Sequence, residues 1–262
     1  MTETLTFPDG FWWGTASAAH QVEGGNINSD SWLLEHIPGG PFVEPSGDAC
    51  DHYHRYPDDI ALLASLGFNT YRFSIEWARI EPEEGEFSYA ALEHYRRMLA
   101  ACHEHGLTPV VTYHHFTSPR WFAARGGWEV TANADLFARY CERATAHLGD
   151  LIGAACTMNE PNVGLLIQQM GFMPPDEVLA KAPYRTAAAK AAGSDIFAAF
   201  PSCQQGLARD TFLIAHRLAF DAIKSERGDF PVGMTLALSD HQAVPGGEGM
   251  RNRVRQAVDD VF

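Results

Sequence analysis

Short apolar runs alternate along the chain with longer stretches in which apolar residues return every three or four positions, the pattern of buried strands joined by amphipathic helices. Five runs predict strands, over residues 11–15 (Phe11-Trp12-Trp13-Gly14-Thr15), 70–75, 108–113, 151–158 and 231–238. Helical periodicity covers residues 56–66, 89–105, 207–226 and 250–262, with Gly67 and Gly106 placed where the first two helices should stop. Because strands and helices alternate, the expected sheet is parallel, with the helices as its crossovers.

Each strand runs out into polar or aromatic residues: His20-Gln21, Glu76-Trp77, His114-His115, Asn159-Glu160 and Ser239-Asp240. In a (β/α) barrel the carboxyl ends of the strands form the active face, so this recurrence predicts an α/β fold of the (β/α)8 TIM-barrel type. An open doubly wound sheet also gathers ligands at its strand ends, but no Gly-rich phosphate loop follows the first strand. The count stops short of eight. The fifth run closes near Leu238, leaving 24 residues, whereas one more βαβ unit takes about 30. The expectation is therefore a single partial barrel over residues 1–262, with about five βα units and the carboxyl-terminal units missing.

Composition narrows the function. A hydrophobic content of 46% supports a sizeable core, and 19 Lys+Arg against 33 Asp+Glu give a net charge of −14. That charge repels phosphate backbones and anionic lipid headgroups, so neither nucleic acid nor a membrane surface is an expected partner. The first residues lack the basic and apolar regions of a signal peptide, and a cytoplasmic location is expected. Cys50, Cys102, Cys141, Cys156 and Cys203 never form Cys-x-x-Cys, which favours reduced thiols over disulfides or a zinc knuckle. The pairs His52/His54, His103/His105 and His114/His115 lack an evident third ligand, so no metal and no cofactor are expected.

The residues that carry chemistry centre on Thr157-Met158-Asn159-Glu160-Pro161-Asn162. A carboxyl at the end of a buried strand, flanked by an amide and a proline, is partly desolvated, and desolvation raises its pKa toward proton donation. That placement of Glu160 suits a general acid for a glycosidic oxygen, and Asn159 beside it can bond a sugar hydroxyl. Alone, Asn-Glu-Pro would serve equally as a helix-capping turn. Glu76 is a second strand-end carboxyl, with Arg79 three residues on as its expected ion-pair partner, and Glu23 should pair with a nearby cation. The tryptophans offer stacking surfaces for sugar rings, most of them better read as core.

Longer motifs add to this reading. Phe7-Pro8-x-Gly10-Phe11-x-Trp13-Gly14-Thr15-Ala16-Ser17-Ala18-x-His20-Gln21-Val22-Glu23-Gly24 is followed by Asp51-His52-Tyr53-x-Arg55-Tyr56-x-Asp58-Asp59-Ile60. Then come Tyr71-Arg72-Phe73-Ser74-Ile75-Glu76-Trp77-x-Arg79-Ile80-x-Pro82, Tyr113-His114 and the run around Glu160. In this order they resemble glycoside hydrolase family 1, the β-glucosidase type, along nearly the whole chain. The resemblance implies a retaining β-glycosidase, with Glu160 as acid/base and Gln21 and His114 as glycone-binding residues. It also implies that Asn159 contacts the 2-hydroxyl and that Arg72 keeps the nucleophilic carboxylate ionised. Without the resemblance, Gln21 and Arg72 would read as a core hydrogen bond and a structural ion pair. Two departures stand out. Tyr113-His114-His115-Phe116 lacks the tryptophan of the usual Tyr-His-Trp, and Gly153-Ala154-Ala155-Cys156 is small where relatives carry an aromatic.

A retaining mechanism needs two carboxyl groups about 5–5.5 Å apart, and the resemblance puts the nucleophile in a Thr/Ile-Glu-Asn-Gly run that this chain lacks. The nucleophile is therefore expected beyond the chain end. One reading makes the chain the amino-terminal part of a retaining β-glycosidase acting on a β-linked glycoside. The alternative is a catalytically incomplete partial barrel that binds sugar or self-assembles. Either way, two unpaired sheet edges predict a homo-oligomer or a complementing carboxyl-terminal fragment.

Overall fold

The computed structural model describes residues 6–238 and 242–258, so the Ser239-Asp240 strand end lies outside the described residues. Five parallel strands form one sheet in the order β1-β2-β3-β4-β5: β1 Gly14–Ser17, β2 Thr70–Ser74, β3 Thr108–His114, β4 Ala154–Asn159 and β5 Val232–Thr235. Neighbours in the sheet are neighbours in sequence, the order of a barrel growing strand by strand. Helices α1 (Ala19–Val22), α2 (Asp30–His36) and α3 (His52–Ser65) join β1 to β2, and α4 (Trp77–Ile80) and α5 (Tyr89–Glu104) join β2 to β3. Between β3 and β4 lie α6 (Arg120–Ala124) and α7 (Ala134–Leu148). Then α8 (Val163–Gln169), α9 (Asp176–Leu179), α10 (Pro183–Ala191) and α11 (Gln205–Glu226) lead to β5, with α12 (Glu248–Val258) after it.

Alternation along the strands divides polar from apolar. Tyr71 and Phe73 of β2 and Val111 and Tyr113 of β3 face outward, onto Ile60 of α3, Tyr95 and Leu99 of α5, and Phe137 and Tyr140 of α7. Helix α7, an addition to the elements the pattern predicts, buries Phe137, Tyr140, Cys141, Ala144 and Leu148, an apolar stripe at helical spacing. Trp77 at the end of β2 is 1% exposed and stacks on Tyr140 at 5.1 Å. Ser88 caps α5 by accepting the Ala91 N–H. Gly67 and Gly106 close α3 and α5 with φ of 87° and 72°, left-handed values that a side chain resists.

The strand boundaries shift from the expected ones where side chains find other work. The first strand begins at Gly14 and not at Phe11: Phe7, Phe11 and Trp13 pack on one another, with Phe11 and Trp13 centroids 4.8 Å apart, and all three remain exposed. The fourth begins at Ala154 because residues 149–151 form a 3-10 turn. In the fifth, only Val232–Thr235 pairs.

Candidate active site

The inner face of the sheet carries a polar network built around Arg72. Its Nε donates to Thr112 Oγ1 at 2.9 Å, and its Nη2 donates to Asn159 Oδ1 at 2.6 Å and to Thr235 Oγ1 at 3.3 Å. Thr235 Oγ1 also donates to Asn159 Oδ1, at 3.0 Å. The oxygen of Asn159 is therefore fully engaged, while its amide nitrogen, without a partner among the described residues, remains as a donor. Arg72 meets no carboxylate among the described residues.

Cys156 and Asn159 both face inward although they are three residues apart, which strict alternation forbids. A register shift resolves it: Cys156 pairs with Gly233 but Asn159 with Thr235, so β4 carries one residue more than β5 over this stretch. Beyond the bulge, Glu160 takes a left-handed backbone, φ 45°. Its N–H donates to Thr235 O at 2.9 Å, and its carbonyl accepts the Val163 N–H at 3.0 Å, which starts α8. Asn162, fully buried, exchanges two hydrogen bonds with the backbone of Ala237 and fixes the turn from below. The Glu160 side chain is partly exposed and has no hydrogen-bond partner among the described residues. It opens into a cavity of about 370 Å³.

Gln21 of α1 lines that cavity, exposed and uncommitted, beside His20. His20 is fixed by Glu35 Oε1 at 2.8 Å and Asn26 Nδ2 at 3.1 Å. Phe42, His115, Phe116, Phe200 and, from α8, Val163 and Ile167 supply most of the remaining wall. None of the six tryptophans lines the cavity.

His114, expected at the sugar, does not reach the cavity. It is 1% exposed, bonded to Ser118 Oγ at 3.0 Å and packed against Trp128 and Phe200, with Nδ1 left without a partner. The cavity takes His115 in its place. Thr112 and His115 both serve the inner side three residues apart, so alternation is broken at the end of β3 as it is in β4. Burial pushes His114 down to about 3, and burial together with the charge of Arg72 pushes His115 down to about 4, so both rings are neutral near pH 7. A neutral His115 offers one donor and one acceptor.

The other singled-out residues are structural. Arg79 pairs with Glu23 at 2.8 Å and not with Glu76, while Tyr95 donates to Glu23 at 3.0 Å. Glu76, 2% exposed, caps α4 through Ala78 N and accepts from Thr117 Oγ1 at 2.9 Å. His52 bonds Asp59, His54 bonds Asp51, and His103 bonds the Leu151 carbonyl, each a separate local contact.

Comparison with known proteins places this geometry. The family model described as glycosyl hydrolase family 1 matches residues 3–259. Thermostable beta-glucosidase B of Thermobispora bispora is 42% identical over 168 residues, 62% of this chain and 36% of that protein. The beta-glucosidase of Agrobacterium sp. is 31% identical over 257 residues, 95% of this chain and 50% of that protein. Among solved structures, beta-glycosidase BGL167 aligns with a TM-score of 0.92 at 57% identity, over 97% of this chain and 62% of the other. The beta-glucosidase of Thermotoga maritima in complex with deoxynojirimycin aligns with a TM-score of 0.79 at 28% identity, over 96% and 54%. The chain thus spans half or less of the length of these two curated relatives, and its five-stranded parallel sheet is a partial (β/α)8 barrel. On its motifs, its sheet and these matches together, the chain belongs to glycosyl hydrolase family 1.

Proposed function

We propose that this chain provides the acid/base half of a retaining β-glycosidase that hydrolyses β-linked glycosides of the β-glucoside type. The observation that carries the reading is the carboxyl of Glu160, held on a left-handed turn at the end of β4 and open to the cavity without a partner among the described residues. Glu160 protonates the glycosidic oxygen as the bond breaks and then takes a proton from the water that releases the sugar. Gln21 and His115 grip the glycone hydroxyls, with His115 in the part expected of His114, and the Asn159 amide nitrogen, next to Glu160 but outside the cavity lining, is the donor expected at the 2-hydroxyl. The bond from Asn159 strengthens as the ring flattens.

The attacking carboxylate is the other half. Glu160 is the only carboxyl lining the cavity among the described residues, and Arg72 stands without the carboxylate that it would hold ionised. We assign the nucleophile to a segment outside this chain, contiguous with it or supplied as a complementing fragment, and expect the chain alone to be inactive. With unbridged cysteines, the cytoplasm is the compartment that suits it; among the described residues no helix is long and apolar enough to cross a membrane. The second reading, a self-assembling or sugar-binding partial barrel, draws support from exposed aromatics beside the β1 edge, with Phe7 60% and Trp12 50% exposed.

The test is hydrolysis of 4-nitrophenyl β-glucoside by the chain alone and mixed with the carboxyl-terminal half of a family relative. The first reading predicts activity only in the mixture. Assembly of the chain with itself, and no activity in either case, would favour the second.

A further inference from the structure

Among the described residues, four other than glycine hold a left-handed backbone, and two of them, Phe116 and Glu160, line the cavity. The turn at Glu160 is accounted for by its bonds to Thr235 and Val163. Phe116, at φ 67°, directly follows His115. A bulky side chain resists that conformation, which persists only where its surroundings over-determine it.

Those surroundings converge on Asp30. It is 0% exposed at the first position of α2 and forms no ion pair among the described residues. Its Oδ1 accepts the N–H of Ser31 at 2.7 Å and of Ser118 at 3.1 Å, and its Oδ2 accepts the N–H of Phe200 at 3.1 Å. Ser118 lies two residues past Phe116. The Phe200 ring lies stacked on that of Phe116, with centroids 5.4 Å apart and planes at 22°. The Asp30 N–H also donates to Ser118 O at 2.9 Å, and a bridge pairs Ser29 with Pro119. The contacts close a ring that runs from the Asp30 carboxyl through Ser118 to Phe116, across the stack to Phe200, and back to the carboxyl. Burial pushes the Asp30 carboxyl up to about 7, while the donors on Ser118, Phe200 and Ser31 pull it down. All three contacts arrive as donors, an arrangement that only acceptor oxygens satisfy.

We propose that Asp30 is a positioning residue of the cavity: it holds Phe116 in its left-handed turn and so aims His115 and Phe116 at a bound glycoside. Asp30 touches no substrate. The consequence for a glycoside rests on the function proposed above, whereas the restraint on the turn stands without it.

Asp30→Asn leaves one oxygen where two are used. If that oxygen keeps Ser31 and Ser118, the new amide points a donor at the Phe200 N–H, and the segment around Phe200 is released. The control is Tyr113→Phe, which removes a buried hydrogen bond to Thr145 in the helix-facing layer. Both variants of the 262-residue chain are followed by amide hydrogen exchange and by equilibrium binding of 4-nitrophenyl β-glucoside. In Asp30→Asn, exchange at Phe200 is expected to quicken and glycoside affinity to fall, each about tenfold. Tyr113→Phe, at a similar loss of Tm, is expected to move neither. Unchanged exchange at both Ser118 and Phe200 overturns the proposal, and so does faster exchange with unchanged affinity. A wild-type chain that binds no glycoside counts against the proposed function, and the exchange result alone then decides the restraint. Should Asp30→Asn not fold, Asp30→Asn/Phe116→Gly is expected to fold, because glycine adopts the turn without strain; a double variant that also stays unfolded overturns the proposal.

Discussion

The ends of β2 and β4 each carry a glutamate, and the two could hardly be placed more differently. Glu76 is buried, with its oxygens occupied by Ala78 N and Thr117 Oγ1. Glu160 is partly exposed on a left-handed turn, with its backbone tied down and its carboxyl free among the described residues. A carboxyl whose acceptors are filled stabilises its surroundings and has no means to handle a substrate proton. One whose backbone is fixed and whose oxygens are open can do so, provided that the rest of the site brings a glycosidic oxygen to it. On the proposed reading, what the oxygens already hold separates a functional carboxyl from a structural one at these two strand ends.

The largest effect that would break this comparison lies at Glu160. In the chain completed by a carboxyl-terminal half, Glu160→Gln is expected to lower hydrolysis of methyl β-glucoside by about 10²–10⁴-fold. Its unfolding free energy from urea titration should stay within about 0.5 kcal/mol of wild type, since no bonded group is lost. Glu76→Ala should reverse the pattern. It strips the cap from α4 and orphans the Thr117 hydroxyl, at a cost of about 1–3 kcal/mol in urea unfolding. An equal loss of stability from both substitutions would erase the distinction.

A smaller effect sharpens the same contrast at the end of β3, where His114 is core and His115 lines the cavity. The buried ring of His114 titrates near 3 in the folded chain and near 6.5 when unfolded. Between those values the unfolded chain binds the extra proton, so the stability that neutral His114 contributes is complete above pH 6.5 and is lost as pH falls toward 3. His114→Phe should remove about 1.4 kcal/mol per pH unit of this acid sensitivity, seen as a smaller gap between urea midpoints at pH 7 and pH 4.5. Identical gaps in variant and wild type would mean that His114 is not held neutral.

Local order carried much of the fold. Compact apolar runs at β2 and β3 and the stop signals Gly67 and Gly106 made the parallel sheet and two helices readable, because each reports a local requirement of the chain. Helix α7 escaped that reading although Phe137, Tyr140, Cys141, Ala144 and Leu148 recur at helical spacing, a pattern as readable as that of α3 and α5. Of the candidate site, Glu160 and Asn159 stood out at a strand end, whereas Gln21 in α1 and Arg72 within β2 were picked out only through the family resemblance. His115 was not legible. Two adjacent histidines give no sign of which faces the cavity, and the answer depends on a break in alternation set by neighbouring strands and loops. Asp30 and Phe200 were invisible for a related reason, since they meet across 170 residues of chain with no shared motif.

The central claim is that Glu160 delivers the proton to the departing oxygen. The measurement that meets it most directly takes the completed chain with Glu160 and with Glu160→Ala through a series of aryl β-glucosides of graded leaving-group acidity, recording the rate of bond cleavage in a single turnover. A leaving group that departs readily as its anion needs no proton, so 2,4-dinitrophenyl β-glucoside should be cleaved at nearly the wild-type rate by Glu160→Ala. The deficit should widen to about 10²–10⁴-fold as the leaving group becomes less acidic. A uniform loss across the whole series would contradict the assignment and place Glu160 among the residues that only bind the sugar.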